Sequence, residues 1–250
     1  KHVKGVYITH AHNDHVGKLP FLIKEGYEGK IYMSKETALF LENVLADNLK
    51  IHREEAKKLN KKPLYDETDI EKVISLIEPL EYKGIHGISL KGVEVLYAFY
   101  RNNHIVGAST IWIRIERKYV KKENEKINFL FSGDLNISNQ LLKKDIQVPK
   151  RAICDKYINI IMECTYGTTT REEEKTNIDF EEKIIEAVLN KKKVLIPINA
   201  LHKAQEVLEI IRKIKLQMVQ QKIEFPKVYL DGKLAIRHTY TYAGILKKNF

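Results

Sequence analysis

Cysteine is almost absent. The chain has two, Cys154 and Cys164, and no CxxC pair. That excludes a disulfide scaffold and fits a reducing, intracellular compartment: cytoplasmic, or nuclear in a eukaryote. Each cysteine is expected to be a plain buried thiol. Long hydrophobic runs are also missing. No stretch approaches the roughly 20 apolar residues of a membrane span, so no membrane association is expected. No apolar signal segment follows Lys1 to Tyr7, which reads as a strand with basic flanks. A start without methionine, inside such a strand, leads us to expect a partial chain. Internal repeats are lacking, as are low-complexity tracts beyond short lysine runs. Acidic residues are in deficit, 33 against 43 basic, for a net charge of +10. Such a balance fits either a polyanionic partner or a surface of solvated lysines.

What is present is enough for one large domain or two smaller ones: 250 residues, 44% hydrophobic and 30% charged. Val3 to Thr9 is β-rich and runs into a His/Asp cluster, then Gly17, Leu19 and Pro20. Short helix over Phe21–Glu25, strand over Lys30–Met33 and helix from Lys35 to about Lys50 follow, the last capped by Ser34. A further helix is expected over Thr68–Ile77, capped by Thr68 and stopped before Pro79. Strands are expected at Ile88–Leu90, Val93–Phe99, Thr110–Glu116, Ile127–Phe131 and Ile158–Met162, with a charged hairpin tip over Arg117–Lys126. Phe180, Ile184, Ile185, Val188 and Leu189 recur at helical spacing. Next come an apolar strand at Lys193–Pro197, a helix over Lys203–Gln220 with Val207, Ile211, Ile214 and Met218 on one stripe, and a strand at Val228–Leu230. Strand, helix, strand in that order suggests a parallel βαβ unit. The fold class is α/β, with a boundary near residues 168–176 that divides the chain into 1–170 and 171–250.

The chemistry concentrates in His10, His12, Asp14 and His15, four ligand-type residues within six positions just after a strand. Zinc takes imidazole nitrogen at about 2.0–2.1 Å and carboxylate oxygen at similar range. Two histidines two apart in extended backbone share a side, so His10 and His12 can hold one metal. Asp14 and His15, past the turn, can hold a second. His104, between two apolar strands, and Asp134, directly after a strand in Ser132-Gly133-Asp134, are candidates for completing the set.

These residues resemble the metallo-β-lactamase superfamily. His10-x-His12-x-Asp14-His15 is similar to its second motif, His104 to its third and Asp134 to its fourth. The resemblance implies an αββα sandwich with two Zn2+ ions at the strand ends. His10, His12 and His104 would bind the first, Asp14 and His15 the second, and Asp134 would bridge. Met162-Glu163-Cys164-Thr165-Tyr166-Gly167, the segment Lys193 to Glu206, and Tyr229-Leu230-Asp231 with Leu234-Ala235 are similar to the β-CASP group, in its RNA-processing branch. Residues 1–170 would then be the metallo-β-lactamase domain, without its first strands, and 171–250 part of an inserted β-CASP domain. There are departures: Cys164 for Ser, His202-Lys203 for Gly-Arg, and Asn102-Asn103 for Ala-Gly. None removes a ligand. By the family pattern a first-motif Asp would precede residue 1 and two histidine motifs would follow residue 250, so the second zinc site would lack one ligand here.

The implied activity is metal-assisted hydrolysis of RNA phosphodiesters, endonucleolytic or 5′-exonucleolytic, by two-metal activation of water. Asp14 and Asp134 would orient the water or accept its proton, and Glu163 would hold the group that protonates the leaving oxygen; a structural hydrogen bond is the alternative for Glu163. Single-stranded RNA is the expected partner, with a homodimer or an RNA-processing complex left open. A small ester or thioester hydrolase of the same fold, and a non-catalytic RNA-processing scaffold, are the alternatives.

Overall fold

A computed structural model describes residues 3–117, 125–136, 142, 146–150, 157–165, 167–168 and 173–248. The chain forms two compact units: Lys1–Ile137 with Lys144–Glu163, and Ser138–Lys143 with Cys164–Phe250.

The first unit holds two sheets. β1 (Gly5–Tyr7), β2 (Lys30–Ser34) and β3 (Ile77–Leu80) form a parallel sheet in that order. β4 (His86–Leu90), β5 (Val93–Arg101), β6 (Ser109–Arg117) and β7 (Glu125–Phe131) run antiparallel, and β8 (Asn159–Ile161) joins β7 in parallel. Strand side chains alternate between faces. Tyr97, Phe99, Ile111, Ile113 and Phe131 therefore meet Tyr7, Tyr32 and Leu80 of the parallel sheet in one core. The intervening Ala98, Tyr100 and Trp112 pack with Leu96, Leu130 and Ile158 on the other face.

The parallel sheet is wrapped by α1 (Asn13–Val16), α2 (Leu19–Lys24), α3 (Lys35–Lys58) and α4 (Glu67–Ser75). Ser34 caps α3 as expected, its side chain accepting the Thr37 N–H at 3.1 Å. The helix runs on to Lys58, where Ala56 continues the buried stripe of Val44, Leu45 and Leu49 beyond Lys50. Two expectations nearby are corrected. Asp66, not Thr68, caps α4, in a reciprocal capping box with Asp69. Pro79 does not merely follow a helix; it lies in β3, an edge strand, where a missing N–H is tolerated. The tip of the Arg117–Lys126 hairpin, 118–124, lies outside the described residues, while Arg117 pairs with Glu125 at its base.

In the second unit, α5 (Glu173–Leu189) packs on α6 (Lys203–Gln220) through Ile184, Ile210, Ile214 and Met218. The buried stripe of α6 thus runs through Ile210; Val207 and Ile211 sit half-exposed at its flank. α7 (Lys233–Lys248) was not foreseen. Its inner face is Ala235, His238, Tyr242 and Ile245. The expected strands at Lys193–Pro197 and Val228–Leu230 do not form, and the βαβ unit with them. A strand is a paired object, and no ladder neighbours these segments among the described residues: Leu195 is 93% exposed. Cys164 is exposed, which corrects the expectation of a buried thiol. Exposure follows from its place in the turn after β8. Cys154 and Tyr166 lie outside the described residues.

Candidate metal centre

The centre is built at the ends of β1, β5 and β7 in the first unit. Extended backbone at His12 precedes the single turn of α1, so the chain reverses between His12 and His15. His10, completely buried, and His12 come from the extended stretch; Asp14 and His15 come from the turn. His104 follows β5 in the loop 102–108, and Asp134 follows β7. Gly133 is required there. Its φ is +58°, and a Cβ would meet the Thr9 Cβ at 2.8 Å and the Ser109 carbonyl at 3.1 Å. Only glycine lets the Asp134 loop approach the His10 loop this closely.

Two groups of ligand atoms result: His10, His12, His104 and Asp134, and Asp14, His15 and Asp134. In the first, His12 Nδ1 lies 3.1 Å from His10 Nε2 and 3.0 Å from His104 Nε2. Asp134 Oδ2 lies 3.7 Å from His10 Nε2 and 3.5 Å from His104 Nε2. Ligands about 2.0–2.1 Å from a tetrahedral ion stand roughly 3.3–3.4 Å apart. The observed separations bracket that value, so the four atoms fit one small divalent cation. In the second group, His15 Nε2 is 3.4 Å from Asp14 Oδ2 and 3.4 Å from Asp134 Oδ1. Asp134 turns one oxygen to each group.

The electrostatics agree with a cation site. Burial, with His15, His12 and His104 beside it, pulls His10 from 6.5 down to about 2. Burial lowers His12, against Asp14 and Asp134, which raise it. Burial and His12 bring His104 down to about 4, against Asp134 and Glu163. These imidazoles are neutral at pH 7 and offer lone pairs. Thr9 Oγ1 lies 3.1 Å from His10 Nδ1 and 3.4 Å from His15 Nδ1. Nδ1–H groups donating to that hydroxyl leave both Nε2 lone pairs facing the centre.

Three supports escaped the sequence reading. Thr9 is one. The second is Ser34, the cap of α3, with Thr37 in its first turn; their hydroxyls donate to the Gly107 carbonyl at 2.6 and 2.9 Å and pin the loop that carries His104. Gly107 has φ +93°, and a Cβ there would sit 2.6 Å from the Thr37 nitrogen. The third is Asn102, with neighbouring Asn103 at φ 61°, a left-handed conformation that Asn accepts more readily than most residues. Glu163, foreseen as catalytic, accepts a hydrogen bond from the Leu135 N–H, and its own N–H donates to Ser132 Oγ at 3.2 Å. Its carboxylate therefore holds the segment just beyond Asp134.

Residues 1–97 match the metallo-β-lactamase superfamily. Over that segment, which is less than half of the chain, the chain is similar to this superfamily. The fold class and the resemblance read from the motifs are borne out. Over 99% of its length the chain is 30% identical to Ribonuclease TTHA0252 of Thermus thermophilus, covering 50% of that protein. It is 29% identical to an RNase J-like protein of Methanocaldococcus jannaschii over 98% of the chain and 51% of that relative. It is 26% identical to the transcription termination factor FttA of Methanococcus maripaludis over 99% of the chain and 36% of the relative. Two of these relatives are thus named as a ribonuclease or RNase-like protein and one as a transcription termination factor. The chain spans about half the length, or less, of the curated relatives it matches. The match to the metallo-β-lactamase superfamily ends before His104 and Asp134, so the residues that close the centre are assigned on geometry. Among the described residues, no helix is long and apolar enough to cross a membrane.

Proposed function

We propose that this metallo-β-lactamase domain is the catalytic part of a zinc-dependent ribonuclease that hydrolyses phosphodiester bonds of single-stranded RNA. The observation that carries the reading is Asp134, whose Oδ2 faces His10 and His104 while Oδ1 faces His15. One carboxylate serving two ligand groups is the layout of a paired-cation hydrolase.

His10, His12, His104 and Asp134 would hold one ion, and Asp14, His15 and Asp134 the other. Bound there, two cations supply Lewis acidity toward a phosphoryl oxygen and lower the pKa of water toward neutrality. The chain's own groups do the rest. Asp14, 76% exposed at its side chain, stands at the solvent edge, where a carboxylate can take a proton from attacking water. Asp134, fixed by Gly133, orients that water between the two groups. Glu163 holds the Leu135 backbone and so keeps the Asp134 loop facing the centre. The net charge of +10 and the relatives' printed names, ribonuclease and transcription termination factor, support RNA as the polyanion. Affinity that rests on phosphate contacts falls steeply with salt.

The test uses the full-length protein: bound metal is quantified, and cleavage of end-labelled single-stranded RNA is followed beside thioester substrates. About two zinc ions per chain and RNA cleavage abolished in His12→Ala and Asp134→Ala are expected. Wild-type cleavage by a variant that carries both His12→Ala and Asp134→Ala refutes the reading.

A further inference from the structure

His104 and Asp134 come from the ends of β5 and β7, which are not neighbours: β6 lies between them. Strands sit about 4.8 Å apart, so these two ends start nearly 10 Å from each other at the backbone. Yet the ligand atoms must stand 3.5 Å apart, as they do. Side-chain length closes part of the gap. The loops themselves need a tie, or each would set its ligand independently.

One residue makes that tie. Asn102, first after β5 and 2% exposed, uses both ends of its carboxamide. Oδ1 accepts the backbone N–H of His104 at 3.2 Å. Nδ2 donates to the carbonyl of Ser132 at 2.9 Å, across β6 and two residues before Asp134. The same carbonyl also accepts from Thr110 Oγ1 of β6, at 3.0 Å. Ser132 then joins β8: its N–H donates to the Ile161 carbonyl at 2.9 Å, and its Oγ accepts from the Glu163 N–H. The ends of β5, β6, β7 and β8 thus meet at Ser132. Asn102 is the member that also reaches a ligand's backbone.

We propose that Asn102 is a positioning residue that fixes the spacing of His104 and Asp134, and through it the affinity of the first cation position. The proposal rests on the reading of these residues as metal ligands. A carboxamide is suited to the task because it donates at one end and accepts at the other, here in one buried step. Alanine removes both bonds and leaves the His104 N–H and part of the Ser132 carbonyl unserved. Aspartate keeps the acceptor toward His104 but turns a second oxygen on the Ser132 carbonyl. Losing such an outer contact typically costs 10–100-fold in metal affinity.

The experiment titrates Co2+ and Zn2+ into the metal-free full-length protein and follows the visible bands of bound Co2+, which report coordination geometry. Asn102→Ala is expected to bind the first equivalent at least 10-fold more weakly and with altered bands. Thr110→Val removes the other bond to the same carbonyl without reaching His104. It is expected to lower stability while keeping the first-equivalent affinity within threefold of wild type. Asn102→Ala binding within threefold of wild type overturns the proposal, as does Thr110→Val weakening affinity as much as Asn102→Ala. Where Asn102→Ala does not fold, Asn102→Asp is read by the same thresholds. His10→Ala is the separate control: if it leaves the first equivalent unchanged, the metal-site reading itself fails, whatever Asn102 does.

Discussion

Lowering the pH of the metal-free protein from 7.5 to 5.0 should destabilise its first unit by about 4 kcal/mol. The magnitude comes from one buried and one half-buried imidazole. His10 titrates near 2 and His104 near 4 in the folded chain, against 6.5 when free. A histidine lowered in the folded state is protonated first in the unfolded chain. The unfolded state therefore holds more protons below about pH 6.5, and stability falls as the pH drops through that value. At pH 5 each of the two has cost about 2 kcal/mol, a large share of the 5–15 kcal/mol typical of a domain. His12 shifts in the same direction. Asp14, Asp134 and Glu163 surround the cluster and already act within these shifts. The assay is urea unfolding followed by tryptophan fluorescence. Trp112, the only tryptophan, is buried in the antiparallel sheet, so the signal reports the first unit. In the variant with His10→Asn and His104→Asn most of the acid loss should disappear. Equal midpoints at the two pH values, or the same acid loss in the double variant, would refute the reasoning.

Thr37→Val removes a buried hydroxyl from the Gly107 carbonyl and should cost about 1–3 kcal/mol in urea unfolding, while Thr37→Ser should recover most of it. Gly133→Ala forces a side chain into a left-handed position against Thr9 and should destabilise the unit by about 2 kcal/mol and weaken the first metal equivalent, both read in the same titrations. Phe99→Ala, emptying a fully buried site between the sheets, should cost about 3–5 kcal/mol in urea unfolding. Stripping the full-length protein with a chelator should abolish RNA cleavage, and added Zn2+ should restore it; undiminished activity in the stripped protein counts against a metal-dependent reaction.

What was legible in the sequence followed the range of the signal. The cluster His10 to His15 is local, and four ligand types in six positions announce themselves without a fold. His104 and Asp134 were found because strand ends flank them and the upstream cluster raised their standing. Asn102, Thr37 and Ser132 were not readable as supports. Each is a neutral polar residue of a kind common at turns, and its contact lies 30 or more positions away. Strand prediction erred in both directions for one reason: pairing is invisible in a single segment. Ile77–Leu80 gained a partner in β2 despite Pro79, while Lys193–Pro197 found none among the described residues. α7 was missed because its inner face carries a fully buried His238, which reads as polar in the pattern.

The placement of Asp134 between two ligand groups would carry a thermodynamic consequence as well. A carboxylate whose two oxygens point to two different ligand groups cannot be ordered for one without being ordered for the other. If two cations were held as proposed, the first to bind would remove the rotational freedom of that side chain and the second would inherit it already fixed, while the two positive charges would oppose each other across the same group. Occupancy of the two positions would therefore be linked. A titration should be fitted with one coupling constant rather than two independent affinities, and Asp134→Asn should change that coupling more than it changes either position alone.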